Sequence, residues 1–233
     1  MLITKKRVNL SNFTVKINGT DLEECDNYKY LGVFFDKNLN WKKHIDHICE
    51  KVSKSCGILS KLRHCLELET LREVYHALIH SYVRYGIIAW GTAPKTSLKP
   101  LKVLMNRAIR ILSFAPFGRL DLQPLYEILE LLDIEQTYSL EIAKFAYKDK
   151  NGLLPTKIAS YFESPIRRES VRVARQSSAN APQHSSFSSF GQKSIRNAIS
   201  KVWIGIPDEI KSTIWFKSFK RMYKSHLILV GWN

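Results

Sequence analysis

The feature that most constrains this 233-residue chain is a change of hydrophobic period at Trp41. Upstream, Phe13, Val15 and Ile17 alternate with Thr14 and Lys16, the two-residue period of a half-buried strand. Asn18-Gly19 places two residues tolerant of positive φ where a two-residue hairpin turn needs them, which makes Thr20 to Glu23 the return strand. Leu2-Ile3-Thr4 reads as a short strand ahead of these, and Tyr28 to Phe35 as a further strand after the polar turn Cys25-Asp26-Asn27. From Trp41 the spacing becomes three and four: Trp41, Ile45, Ile48, Val52, Cys56, Leu59 and Leu62 predict an amphipathic helix of about six turns.

The helical period then persists. A second helix is expected from Leu68 to Trp90 with Leu71, Val74, Leu78 and Tyr82 inward, ended by Gly91 and Pro94. A third spans Ser97 to Phe114 with Leu101, Leu104, Ala108 and Ile111 inward, stopped by Pro116 and Gly118. Gln123-Pro124 opens a short helix, and Asp133 caps one carrying Ile134, Tyr138, Ile142, Phe145 and Ala146 on its apolar side. Residues 163–189 hold serines, arginines and two prolines with few large apolar side chains, the composition of a basic linker. Helices from Gln192 to Trp203 and from Thr213 to Leu229 close the chain, the last with Phe216, Phe219, Tyr223 and Leu227 on one face. The fold class expected is mainly α: a short strand region over 1–40, a helical bundle over 41–162, the linker over 163–189 and a helical tail over 190–233.

Charge narrows the partners. The chain carries 36 basic and 21 acidic residues, a net charge of +15, and 12 of the basic but only 4 of the acidic residues fall in 163–233. Such a chain is drawn to polyanions, most simply nucleic acid phosphates. No apolar stretch approaches the length of a membrane span, and Met1 is not followed by a long apolar run, so the expected location is intracellular, nucleus or cytoplasm, without secretion. Four scattered cysteines without a CxxC pair fit reduced thiols in such a compartment.

Catalytic chemistry finds little footing in these residues. His44 and His47, and His76 and His80, share helix faces, but neither pair has further ligands at zinc-site spacing. There is no GxSxG, no phosphate-binding glycine loop and no adjacent Asp-Asp for two-metal nucleotidyl transfer. Asp21, Glu23, Glu24 and Asp26 cluster on a turn as a solvated acidic patch. Binding is what remains: lysines with interleaved aromatics can follow a phosphate backbone, although Tyr75, Tyr82 and Tyr85 at helical spacing are more often core. Neither a cofactor nor a small-molecule substrate is expected.

Four blocks carry a family resemblance. Tyr28-Lys29-Tyr30-Leu31-Gly32-Val33, with Asp36, Leu39, Trp41 and His44-Ile45, resembles the KYLGV-x-x-D-x-x-L-x-W-x-x-HI block of reverse transcriptases from non-LTR, LINE-type, jockey-like retrotransposons. Ile79 to Gly91 is similar to that family's YG-x-x-x-WG segment, and Leu101 to Arg110 to its LKxLQNRAIR segment, with Met105 where Gln is common. Val202 to Ile210 resembles its WNxLPxEI tail, with Ile204 where Asn is common.

The resemblance implies that residues 1–40 are a remnant of the polymerase palm with a primer-grip strand at Tyr28, Lys29, Tyr30, Leu31, Gly32 and Val33. Gly32 would then allow close backbone approach to a primer end; read without the family, it is an ordinary buried strand with a glycine bulge. Residues 41–162 correspond to a thumb that holds a primer–template duplex. Lys42, Lys43, Lys51 and Lys54 are the expected phosphate contacts there, and Arg167, Arg168, Arg172 and Arg175 in the linker are further candidates. The family's aromatic-x-Asp-Asp motif lies upstream of the first block, and only 27 residues precede Tyr28. The expectation is a truncated RNA-directed DNA polymerase that binds nucleic acid without catalysis, Mg2+ belonging only to the full-length enzyme. Two alternatives stand beside it: an inert transposon-derived remnant, and a thumb supplied in trans.

Overall fold

The computed structural model describes residues 15–23, 25–115, 121–162 and 195–230. The expected strand at Leu2 to Thr4, the first residues of the strand around Phe13, the linker arginines Arg167, Arg168, Arg172 and Arg175, and positions 192–194 of the expected tail helix lie outside these. The described chain is mainly α-helical, with two short antiparallel strand pairs at its start. It divides into two compact units, Met1–Gly86 with Ala93–Arg119, and Ile87–Thr92 with Leu120–Asn233.

The first unit opens with β1 (Lys16–Ile17) and β2 (Thr20–Asp21), paired through Lys16 with Asp21 and Ile17 with Thr20. Asn18 and Gly19 have φ of 50° and 79°, the left-handed pair that the Asn-Gly signal predicts. Val15 and Ile17 are exposed, so the half-buried strand expected from their alternation is not found in the described part of this hairpin. A second hairpin, β3 (Asn27–Tyr30) and β4 (Val33–Asp36), leads into α1 (Lys42–Leu62). Helix α1 buries Ile45, Ile48, Val52, Cys56 and Leu59 as the periodicity requires, and adds His44 and Ser55. Leu62 is only half-buried.

The expected second helix is interrupted. It comprises α2 (Leu68–Tyr75), a π-helical turn (His76–His80) in which the Ser81 N–H donates to the His76 carbonyl, and α3 (Ser81–Arg84). Its buried stripe is Leu71, Tyr75, Ile79 and Val83, whereas Val74 and Leu78 are half-buried and Tyr82 is exposed. The cause is geometric. A strict four-residue repeat drifts around an α-helix of 3.6 residues per turn, and one underwound i→i+5 turn in its middle reduces that drift. Gly86, at φ 63°, ends the run before Trp90. Helix α4 (Ile87–Trp90) follows in the other unit. The first unit closes with α5 (Lys95–Leu112), which packs along α1 and buries Leu98, Leu101, Met105, Ala108, Ile109, Ile111 and Leu112. Leu104 is half-buried, and its carbonyl lies 3.6 Å from the Cys56 thiol. Burial raises the pKa of that thiol, so it packs as a neutral group.

The second unit is built around α7 (Ile134–Lys150). Asp133 accepts from the Gln136 N–H at 2.8 Å while the Gln136 side chain accepts from the Asp133 N–H at 3.0 Å, a reciprocal capping box. The Gln136 amide also donates to the Leu227 carbonyl at 2.8 Å. Helices α6 (Gln123–Ile128), α8 (Thr156–Phe162), α9 (Ile195–Ile204), α10 (Asp208–Lys211) and α11 (Phe216–Val230) complete it. The core joins Ala143, Ala146 and Tyr147 of α7 to Ile199 and Trp203 of α9 and to Phe219 and Tyr223 of α11. The apolar side expected for α11 is the one that is buried, with Phe216 and Leu227 at its margin. Gly91 meets the Tyr138 ring so closely that a Cβ would overlap it and would lie 2.7 Å from the Ile87 carbonyl oxygen.

Candidate nucleic-acid interface

The stretch from Tyr28 to Phe35 is a hairpin rather than the single strand expected from its apolar run. Tyr30 pairs with Val33, which leaves Leu31 and Gly32 as a two-residue turn with φ of 45° and 80°. Both values are left-handed, the combination that lets a tight turn follow the right-handed twist of two strands. Gly32 is therefore the second turn residue and not a bulge. A Cβ there would lie 3.4 Å from the Tyr85 ring, ordinary contact, so φ and not crowding requires the glycine. Leu31 has no such freedom, and its carbonyl accepts a hydrogen bond from the Tyr85 hydroxyl at 2.6 Å.

Behind the hairpin one carboxylate organises the loop into α1. Asp36 accepts from the N–H groups of Asn38 at 3.1 Å, Asn40 at 3.0 Å and Trp41 at 2.7 Å. Leu39 and Trp41 have φ of 50° and 62°, a conformation costly for side chains of their size. The three charge-assisted bonds offset that cost, and they direct the Trp41 ring into the core against Phe35, with centroids 5.4 Å apart. One turn on, His44 is 2 % exposed and its Nδ1 accepts from the Phe34 N–H at 3.4 Å. Burial, aided by the neighbouring His47, lowers the His44 pKa to about 4, so near neutral pH the ring is uncharged. Leu31, Gly32, Asp36, Trp41 and His44 of the first block thus shape a hairpin turn, a loop and a helix start.

That framework presents Tyr28, Tyr30 and Leu31 to solvent, each more than half exposed. Lys29 is exposed with its ammonium 5.3 Å from the centre of the Phe34 ring across the hairpin, while Val33 points inward and is buried. Of the expected phosphate contacts, Lys42, Lys43 and Lys54 are exposed and Lys51 is half-buried. They do not converge. At about 100° per residue, Lys43 and Lys54 share one side of α1 with Asp46 and Glu50, while Lys42 and Lys51 fall on opposite sides. Lys54, Asp46 and Glu50 line one shallow groove with Cys49, Ser53, Pro100 and Leu104. The lysine side of α1 is thus of mixed charge.

Helix α5 is different, although it contains no adjacent lysines that would mark it in the sequence. It contains Lys95, Lys99, Lys102, Arg107 and Arg110 and no acidic residue in its 18 positions. The same angular step gathers them within about 140° of arc, with Lys95, Lys99, Arg107 and Arg110 on the side opposite Leu101, Met105 and Leu112 and Lys102 at the edge beside the buried Ile109. The signal was present in the sequence as cations spaced three to five apart between apolar positions. Arg110 and Arg107 lie near the end of α5, and beyond them Phe114 carries the Arg63 guanidinium 4.1 Å from its ring centre.

Comparison with known proteins agrees with the block resemblance. The chain is 31% identical over 107 residues to the RNA-directed DNA polymerase from mobile element jockey of Drosophila funebris, and 28% identical over 107 residues to that of Drosophila melanogaster. It is 28% identical over 106 residues to the RNA-directed DNA polymerase ascribed to transposon BS of Drosophila melanogaster. Each match takes in 44% of this chain and 12% of the relative, so the matched segment is a small part of those proteins. No protein-family model matches the chain, and no solved structure matches it. Over the matched segment the chain is a partial homologue of the RNA-directed DNA polymerases of non-LTR retrotransposons, consistent with a region from the C-terminal part of such a reverse transcriptase.

Proposed function

We propose that the unit made by the β3–β4 hairpin, α1 and α5 holds the backbone of a primer–template duplex, as the primer-grip and thumb portion of a retrotransposon reverse transcriptase. The observation that carries this reading is the one-sided cationic face of α5, five basic residues without an acidic one. A phosphate backbone needs such a stripe, because each cation placed near a phosphate releases condensed counterions. The hairpin supports the reading in a second way. Its turn is locked at Leu31 by Tyr85, and it presents the aromatic rings of Tyr28 and Tyr30 outward.

The role of this chain is binding and not nucleotidyl transfer. Asp36, the carboxylate at the base of the hairpin, is committed to three backbone N–H groups. Asp26 is paired with Lys37 at 2.7 Å. In this reading the Mg2+ ligands belong to the complete polymerase, and no chemical step is assigned to this chain. The described helices include none long and apolar enough to cross a membrane.

The reading is tested by fluorescence anisotropy of the purified chain on a labelled RNA–DNA hybrid across a salt series. The triple substitution Lys99→Ala, Lys102→Ala, Arg107→Ala is expected to lower the slope of log affinity against log salt by about 2 to 3, roughly 0.9 per phosphate contact. The quadruple alanine variant at Lys42, Lys43, Lys51 and Lys54 is expected to change it less. A slope unaltered by the α5 substitutions would remove that helix from the interface.

A further inference from the structure

The last helix, α11, carries a row of side chains that its own unit leaves uncovered. Trp215, Met222 and Leu229 stand seven positions apart and are 74%, 40% and 76% exposed. Ser218 and Ser225 fall between them, each three positions after a large side chain. At about 100° per residue the five lie within roughly 80° of arc. The buried side with Phe219 and Tyr223 adjoins this row, whereas Lys217, Lys220 and Lys224 lie more than about 100° from its centre.

Trp215 precedes the first residue of the helix, and two contacts bring it into line. Its carbonyl accepts from the Phe219 N–H at 2.9 Å, so Trp215 begins the helical spiral. The Thr213 hydroxyl donates to the Met222 sulfur at 3.6 Å, which draws the chain before the helix onto the Met222 side. The buried Tyr147 hydroxyl, 2.9 Å from the Thr213 carbonyl and 2.6 Å from the Ile214 carbonyl, anchors that chain from within.

A seven-residue repeat is the period of a seam between two helices, because 3.5 residues per turn keep one row facing a neighbour. The order of the row says which neighbour fits. Large and small side chains alternate along it: Trp215, Ser218, Met222, Ser225, Leu229. Set antiparallel against a copy of itself, with the two-fold axis passing between Ser218 and Met222, the row places large side chains opposite serines. Trp215 enters the gap over the partner's Ser225, between the partner's Met222 and the partner's Leu229. Met222 enters the gap over the partner's Ser218. The two-fold axis repeats both contacts in reverse, as a self-complementary surface requires. Large side chains facing small ones let the two rows interdigitate. A parallel pair would instead set indole on indole and serine on serine.

We infer that this chain self-associates through the row, as an antiparallel pair of α11 helices. Of the cations in α11, Arg221 borders the row, and the two-fold axis brings its two copies together. The seam is one helix long, so the interface falls below about 1,200 Å2 and the dimer dissociates in the micromolar range. The inference does not rest on the duplex reading, because the row and α5 lie in different units and are removed by different substitutions.

The test is sedimentation equilibrium of the full, nucleic-acid-free chain across a micromolar concentration series. A monomer–dimer equilibrium is expected, tightened by Arg221→Ala and by added salt, which screens the facing guanidinium groups. Trp215→Ser is expected to weaken dimerisation by at least about thirtyfold, as loss of a central indole does. It should not move the unfolding midpoint, since the side chain is exposed. Ser225→Trp alone should also weaken the dimer, by overfilling the gap. The double variant Trp215→Ser, Ser225→Trp should recover most of the affinity, because each indole again meets a serine. A chain that stays monomeric throughout would assign the row to a different partner and overturn the inference. A dimer that Trp215→Ser leaves intact would overturn it too. Loss in both single variants without recovery in the double would overturn the antiparallel pairing.

Discussion

The Tyr85 hydroxyl donates to the Leu31 carbonyl at 2.6 Å across 54 positions of sequence, which ties the turn of one hairpin to the end of α3. Both partners belong to blocks that resemble the same polymerase family, Leu31 to the first and Tyr85 to the second. The bond gives that co-occurrence a physical basis. A turn with a leucine in left-handed conformation needs an external partner to hold it, and the tyrosine supplies one.

Two substitutions separate the contributions at this turn. Tyr85→Phe removes the bond and keeps the ring against Gly32; a loss of about 1 kcal/mol is expected in urea unfolding. Gly32→Ala should cost about 1 to 2 kcal/mol through its φ of 80°, since the space for a methyl group exists. Hydrogen exchange at the amides of Tyr30 to Val33 should quicken in both. Protection equal to that of the parent chain in Tyr85→Phe would show that the turn holds itself.

Asp36 makes a stronger prediction. Its carboxylate serves three N–H groups that the loop conformation turns toward it, and two residues of that loop, Leu39 and Trp41, are in the left-handed region. Asp36→Ala should destabilise the unit by about 2 to 4 kcal/mol and expose Trp41, read as a red shift of tryptophan emission. Asp36→Asn keeps one acceptor oxygen and should fall between the two. An alanine variant with unshifted emission and less than about 0.5 kcal/mol lost would place the loop under the control of Trp41 packing instead.

The buried His44 makes stability depend on pH. Its folded pKa is lowered to about 4 from 6.5, so as pH falls through 6.5 the unfolded imidazole takes up a proton that the folded one refuses. Stability from this group is fully present above pH 6.5, declines by about 1.4 kcal/mol per unit on acidification and levels off below about pH 4. Between pH 7 and pH 5 the expected loss is about 2 kcal/mol. His44→Asn should be less stable at pH 7 yet lose little on going to pH 5. A variant with the same acid sensitivity as the parent would assign the dependence to other groups.

How far the fold could be read from the sequence varied with how local the deciding force was. The hairpin at Asn18-Gly19, the Asp133 cap and the apolar stripes of α1 and α11 were legible, because each depends on residues a few positions apart. The Tyr28–Phe35 stretch reads as one strand, since an apolar run with a single glycine fits a strand and a turn equally well. The tie to Tyr85 that accompanies the turn lies 54 positions away. The buried stripe of the second helix departs from the expected one for a related reason, as an α-helical period does not anticipate a π-helical turn.

The candidate site divides in the same way. The sequence by itself determined the cationic excess, the helical period after Trp41 and the family blocks, all of which are properties of order and composition. Only the tertiary structure decided which cations stand together. It packed α1 and α5 side by side with Lys54 of α1 in one groove with Asp46 and Glu50, and it held Trp215 outward through the buried Tyr147. Net charge is a sum that any arrangement conserves, whereas a binding surface requires charges to share a direction, and direction is fixed only when the opposite side of each helix is packed against its neighbours.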